Sequence, residues 1–113
     1  MNDCLFCKII AGEIPSTKVY EDDFVYAFLD IEPQAPFHAV VVPKVHITSA
    51  SEIDSDNSMY VAKIYEAIAK IAELEKLDGG FRVVTNCGKD GGQMVGHLHF
   101  HLLARRYLQW PPG

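Results

Sequence analysis

The sequence predicts a single domain that combines short strands with one long helix, and three observations carry that expectation. At 113 residues the chain can enclose one hydrophobic core but not two. One segment, from about Ser55 to Leu77, repeats its apolar residues with helical spacing over several turns. Five short runs rich in Val, Phe, Tyr and His are set off by Gly, Pro and Asp, as strands between turns are. A hydrophobic content of 49% with 22% charged residues is ordinary for a globular protein. The net charge of −5 argues against a non-specific nucleic-acid binder, which needs a basic surface. No apolar run approaches the ~20 residues that cross a membrane. The N-terminus, Met1-Asn2-Asp3-Cys4, lacks the basic-then-apolar form of a signal peptide. Three cysteines, an odd count with one C-x-x-C pair, point to reduced thiols or metal ligation and not to a disulfide framework. The expectation is a cytoplasmic protein.

In chain order, Cys4 to Ile10 reads as a short helix closed by Gly12, with Pro15 barring continuation. Its C-x-x-C could bind zinc, with His46 and His97 as spare ligands, or pack as two small apolar residues. A redox motif of the thioredoxin kind would follow a strand, and none precedes it. Lys18–Glu21 and Phe24–Leu29 read as strands around the turn residues Asp22-Asp23. Pro33 and Pro36 force a loop, and Phe37–Pro43 is then suited to a buried central strand. His38 opens that strand; a single strand histidine is more often a hydrogen-bonded structural residue than a functional one. Thr48-Ser49-Ala50-Ser51-Glu52 offers capping residues for a helix start. In the long helix, Val61, Ile64, Tyr65, Ile68, Ile71 and Ala72 form the apolar face, and Lys63, Glu66, Lys70 and Glu73 the solvated one. Phe81–Asn86 and about Val95–Ala104 complete the strands. The Cys87–Gln93 loop between them is glycine-rich, so its N–H groups could approach an anion closely, although a simple hairpin turn is the plainer reading. The tail carries the only Trp, Trp110.

Gly96-His97-Leu98-His99-Phe100-His101-Leu102-Leu103 holds three of the five histidines at two-residue spacing. As a strand it would put the histidines on one face and Leu98, Phe100 and Leu102 in the core. Two strand residues cover roughly 7 Å, so His97 and His101 would lie about 13 Å apart and could not share one ion. Divided roles follow. A neutral imidazole is a competent nucleophile, and imidazoles beside an anion loop suit attack on phosphorus. His99, in the middle, has a neighbour on either side to orient it and to donate hydrogen bonds to developing charge. No Walker-type motif or carboxylate cluster offers a Mg²⁺ site.

His97-Leu98-His99-Phe100-His101-Leu102-Leu103 resembles the signature of the histidine-triad superfamily. The resemblance extends to Glu13-Ile14-Pro15, Glu21-Asp22-Asp23, Asp30-Ile31, Pro33-Gln34-Ala35-Pro36, His38, Pro43-Lys44, His46-Ile47, Asp90-Gly91-Gly92-Gln93 and Trp110-Pro111-Pro112-Gly113. Together these look like the Hint branch over residues 1–113, as a single domain.

The resemblance implies an α+β fold: an antiparallel sheet of about five strands with one long packing helix and a short N-terminal helix, continued across a two-fold homodimer. It implies hydrolysis of purine nucleoside phosphoramidates, AMP- or GMP-type, through a nucleotidyl-histidine, with no organic cofactor. By resemblance His99 is the nucleophile, His101 and Gln93 contact the phosphate oxygens, and His97 and His38 support. Asp30 accepts the ribose hydroxyls. Leu5, Phe6, Ile9, Ile14, Phe28, Leu29 and Ile31 correspond to the base pocket, and Asn86, Gly92 and Met94 lie near the phosphate. Trp110 corresponds to a tail aromatic that approaches the partner's site. Met94 stands where the Hint pattern has a serine thought to assist the leaving group, and Gln109 where relatives often have His. Bacterial relatives with a C-x-x-C suggest a structural zinc on Cys4, Cys7, His46 and His97. Alternatives are a dinucleoside polyphosphate hydrolase and a nucleotide-binding or interaction module with weak catalysis.

Overall fold

The computed structural model describes residues 3–113; Met1 and Asn2, the first residues of the N-terminal stretch read above, lie outside the described residues. The elements are α1 (Leu5–Ile10), β1 (Lys18–Glu21), β2 (Val25–Leu29), β3 (Phe37–Pro43), a 3₁₀ turn (Ala50–Glu52), α2 (Met59–Leu74), β4 (Phe81–Val84), α3 (Gly88–Gly91) and β5 (Phe100–Ala104). The strands form one antiparallel sheet in the order β1-β2-β3-β5-β4. β3, read from sequence as the central strand, is buried along its whole length.

Alternation divides the sheet's two faces. Val25, Ala27, Phe37, Ala39, Val41, Phe100, Leu102 and Ala104 meet Ile64, Ala67, Ile68 and Ile71 of α2 in the main core. Each fully buried Ile contributes about 1.5–3 kcal/mol by leaving water. Tyr26, Phe28, Val40 and Val42 face the other way, against Phe6 and Ile9 of α1. The short helix α1 covers this side of β2 and β3, with Ile14 and Val95 packed beside it. His38 and His101 share it by strand parity. No helix among the described residues is long and apolar enough to cross a membrane.

Helices α1 and α2 end in the same hydrogen-bonded turn. At α1 the N–H of Glu13 bonds Lys8 O and that of Gly12 bonds Ile9 O, with Gly12 at φ +81. At α2 Leu77 N–H bonds Ala72 O and Lys76 N–H bonds Glu73 O, so a lysine at φ +55 takes the left-handed position glycine usually fills. This stops α2 at Leu74, three residues before the end its periodicity suggests, while Leu77 still reaches the core. Nor does α2 begin within Ser55–Ser58. Asp54 Oδ1 accepts the N–H groups of Asp56 and Asn57 and holds those residues in a turn. The expected helix start at Thr48–Glu52 is one 3₁₀ turn, because the Ser49 hydroxyl bonds Ser51 Oγ and not a helical N–H.

The histidine segment is the main departure. β5 begins at Phe100, so His97 and His99 precede the strand that was expected to carry all three. The ladder stops for a physical reason. Continuing the β3–β5 register beyond Val41↔Phe100 would bring Pro43, which has no N–H, opposite Leu98. Side chains take over the backbone groups instead: His97 bonds Pro43 O, His99 bonds His97 O, and the Thr85 hydroxyl donates to His99 O. β4 correspondingly ends at Val84 and not at Asn86. The inward placement of Leu98, Phe100 and Leu102 is as expected.

Candidate functional site

Four ligand-type groups converge where α1 begins. Cys4 caps the helix, its Sγ accepting the Cys7 N–H at 3.3 Å, so both thiols project from the first turn. Cys4 Sγ lies 3.3 Å and Cys7 Sγ 3.5 Å from His97 Nδ1, and Cys7 Sγ lies 3.4 Å from His46 Nδ1. Sulfur and nitrogen ligands of one tetrahedral zinc are separated by about 3.6 Å, so the spacing fits. The tautomer fits too. His97 Nε2 faces the Pro43 carbonyl at 3.0 Å, and a carbonyl only accepts, so Nε2 carries the proton and Nδ1 keeps its lone pair for a cation. Burial pushes the Cys4 thiol up and His97 down, toward neutral forms that a divalent cation would bind with loss of the thiol protons.

The second centre lies on the same side of the sheet. His99 Nδ1 donates to His97 O at 2.7 Å, leaving the Nε2 lone pair free. Its ring stands edge-on to Phe6 at 5.0 Å between centroids and to His101 at 5.1 Å. His38 Nε2 is 2.9 Å from His101 Nδ1 and 3.4 Å from Asp30 Oδ2, while Asp30 Oδ1 accepts the Glu32 N–H. His101 is pushed down to about 4, chiefly by burial and then by His99 and His38, against an upward pull from Asp30. Burial likewise lowers His38.

The sign of the pH effect follows. Between the unfolded histidine value of about 6.5 and a folded value of about 4, the unfolded chain binds a proton at His101 that the native protein does not. His101 therefore lowers stability as pH falls through that window and adds no further slope below it. In urea unfolding at pH 7 and pH 4.5, wild type is expected to lose more stability than His101→Asn; equal losses would contradict the burial of a neutral imidazole.

Of the residues assigned to a base pocket, Phe6, Ile9 and Phe28 are buried together, Phe6 and Phe28 edge-on at 5.5 Å, with Ile14 beside them. Leu29 shares the parity of Val25 and Ala27, toward the α2 side, and Ile31 is 95% exposed. The glycine-rich loop is not the simple hairpin turn that the sequence favoured. It winds into α3, and the N–H groups of Gly88, Gly92 and Gln93 are satisfied inside the loop. Gly88 at φ +68 and Gly92 at φ +77 make that tight winding possible. Gln93, expected at a phosphate, donates both amide hydrogens to Thr48 O and Val95 O at 2.8 and 2.9 Å, so it tethers the loop. Met94 is 91% exposed, and Asn86 is half-buried at the start of the loop. Trp110 is 77% exposed and lies against the Arg82 guanidinium. Sequence reading missed the main-chain groups of Gln34, Pro43 and His97 that orient three imidazoles, because every residue has them. It also missed Arg106, whose partner is a backbone carbonyl distant in sequence.

Comparison with known proteins places this geometry. The HIT domain family matches residues 11–108. The 14 kDa zinc-binding protein of Brassica juncea is 44% identical over 113 residues, covering 98% of this chain and all of the relative. Adenylylsulfatase HINT1 of Arabidopsis thaliana is 43% identical, covering 96% of this chain and 76% of its own. The crystal structure of a HIT family hydrolase from Legionella pneumophila superposes with a TM-score of 0.95 at 47% identity, over 98% of this chain and all of that one. The chain belongs to the HIT family, with the Hint-like features read from its sequence.

Proposed function

We propose that this protein is a nucleotide hydrolase that cleaves the P–N bond of purine nucleoside 5′-phosphoramidates. The observation that carries the reading is His99, an imidazole whose Nδ1–H is held by the His97 carbonyl and whose Nε2 is left open beside His101. His99 Nε2 attacks the α-phosphorus and the P–N bond breaks, the amine leaving with a proton drawn from solvent. Water then cleaves the nucleotidyl-histidine, releases the nucleoside monophosphate and returns the proton. His101 stabilises charge on the phosphate oxygens. Asp30, with Oδ2 turned inward, binds the ribose, and Phe6, Ile9, Ile14 and Phe28 hold the base. An apolar sandwich of this kind selects a purine by area, not by its edge.

Cys4, Cys7, His46 and His97 would hold a structural zinc with no open position. When bound it would supply a cross-link between α1 and the segment before His99. The zinc-binding protein of Brassica juncea supports the metal part of the reading, and the adenylylsulfatase of Arabidopsis thaliana supports nucleotide hydrolysis. The β4 edge, with half-exposed Phe81 beside an open groove of about 600 Å³ lined also by Arg82, Tyr107 and Trp110, is the surface we assign to homodimer formation. Comparing purified protein on an adenosine phosphoramidate and on diadenosine polyphosphates tests the assignment. A higher kcat/KM on the phosphoramidate is expected. The reverse order would make it a polyphosphate hydrolase, and tight AMP binding without turnover of either would make it a binding module.

A further inference from the structure

The Asp30, His38 and His101 ligand atoms lie within 4.8 Å of one another, close enough to suggest a second metal site, yet the proton arrangement is the opposite of that at His97. The main-chain N–H of Gln34 points at His38 Nδ1 from 3.0 Å. A peptide N–H can only donate, so His38 Nδ1 is an acceptor and the ring proton sits on Nε2. A cation on Nε2 would force that proton onto Nδ1, against the Gln34 N–H. At His97 the far nitrogen meets a carbonyl, and at His38 it meets a donor; the first arrangement frees a lone pair for a cation, and the second supplies a proton. His38 Nε2–H then donates to His101 Nδ1 at 2.9 Å, which leaves His101 with its proton on Nε2.

What aims the Gln34 amide is a residue just beyond β5. Arg106 donates through Nε and Nη2 to the Gln34 carbonyl at 3.1 and 2.9 Å, a two-pronged grip that fixes the orientation of the residue carrying the N–H. The Gln34 side chain bonds Glu32 O and steadies the same loop. We propose that Arg106 is a positioning residue for catalysis: by clamping Gln34 it fixes the His38–His101 pair in one tautomeric arrangement, so that His101 always presents Nε2–H to an oxyanion. Burial keeps both rings neutral at pH 7, so each carries a single proton and its location matters. Without the clamp both rings can exchange their protons to the opposite nitrogens, and His101 would then offer a lone pair to a negatively charged oxygen.

The experiment is ¹⁵N imidazole spectroscopy of the full-length protein at pH 7, together with steady-state kinetics. In wild type, His38 and His101 are expected in the Nε2–H tautomer and His99 in the Nδ1–H tautomer. Arg106→Gln should show a second tautomer at His38 and His101. Its kcat on a phosphoramidate should fall by roughly ten- to a hundredfold with little change in KM. Arg106→Lys, which keeps one donor, should recover part of both. Wild-type His101 carrying its proton on Nδ1 would overturn the proposal. So would an Arg106→Gln protein with wild-type ring spectra. If Arg106→Gln fails to fold, the Lys variant decides, since its loss of one of two donors must still broaden the tautomer population. Only the kinetic arm rests on the function proposed above; the spectra need no substrate, so failure of that activity and failure of the clamp are told apart.

Discussion

Replacing His99 with alanine is expected to reduce turnover of a purine nucleoside phosphoramidate by at least about a thousandfold, some 4 kcal/mol of transition-state stabilisation. The size of the effect follows from the site. His99 is the imidazole whose Nε2 is left without a partner by its own hydrogen bonding, while His101 Nδ1 and His38 Nδ1 both accept hydrogen bonds. No neighbour can take over as nucleophile, because His101 presents an N–H to the site and His97 is fully buried with both ring nitrogens engaged. The second readout is covalent. Wild type quenched during turnover should carry a nucleotidyl adduct on the peptide containing His99, and the variant should carry none. Near wild-type turnover in His99→Ala would remove the nucleophile assignment outright. An adduct on another residue would move it.

Removing the metal is expected to have the larger effect on stability. Protein purified without chelator should contain about one zinc per chain. A strong chelator, or Cys7→Ser, should lower the unfolding midpoint and weaken AMP binding together. α1 has only six residues, too few to be stable alone, and holds its place through Phe6, Ile9 and the thiols. Structural zinc in small domains contributes on the order of 10 kcal/mol of folding free energy; here the sheet and α2 already fold around their own core, so the loss should be smaller and local. Coupling to nucleotide binding arises because Phe6 stands against both His97 and His99, at 6.0 and 5.0 Å between ring centroids. A protein with no zinc, or one whose midpoint and AMP affinity ignore the chelator, would reduce the cluster to packing.

Much of the fold was legible because periodicity is a local property. The apolar spacing around Ile64, Ile68 and Ile71, the continuous run at β3 and the Gly12 stop each need only a few neighbouring residues to be read. The ends were harder. α2 stops with Lys76 in a conformation that glycine signals and lysine does not, and β5 is cut short by the proline on its neighbouring strand. The loop after Cys87 was read most plainly as a hairpin turn; its glycines instead wind it into α3, and Gln93 tethers it to Thr48 O.

At the functional site, residue types and spacing pointed to imidazole attack on phosphorus and to His46 and His97 as candidate partners of Cys4 and Cys7, because imidazoles and thiols advertise their chemistry; the family resemblance singled out His99 and the full ligand set. Which nitrogen of each imidazole carries the proton was settled only by tertiary structure. The carbonyls of Pro43 and His97 and the N–H of Gln34 are present in every chain of this length and carry no signal until folding aims them. Those three main-chain groups make His97 a candidate ligand, His99 a candidate nucleophile and His101 a candidate donor, although all three share one side chain.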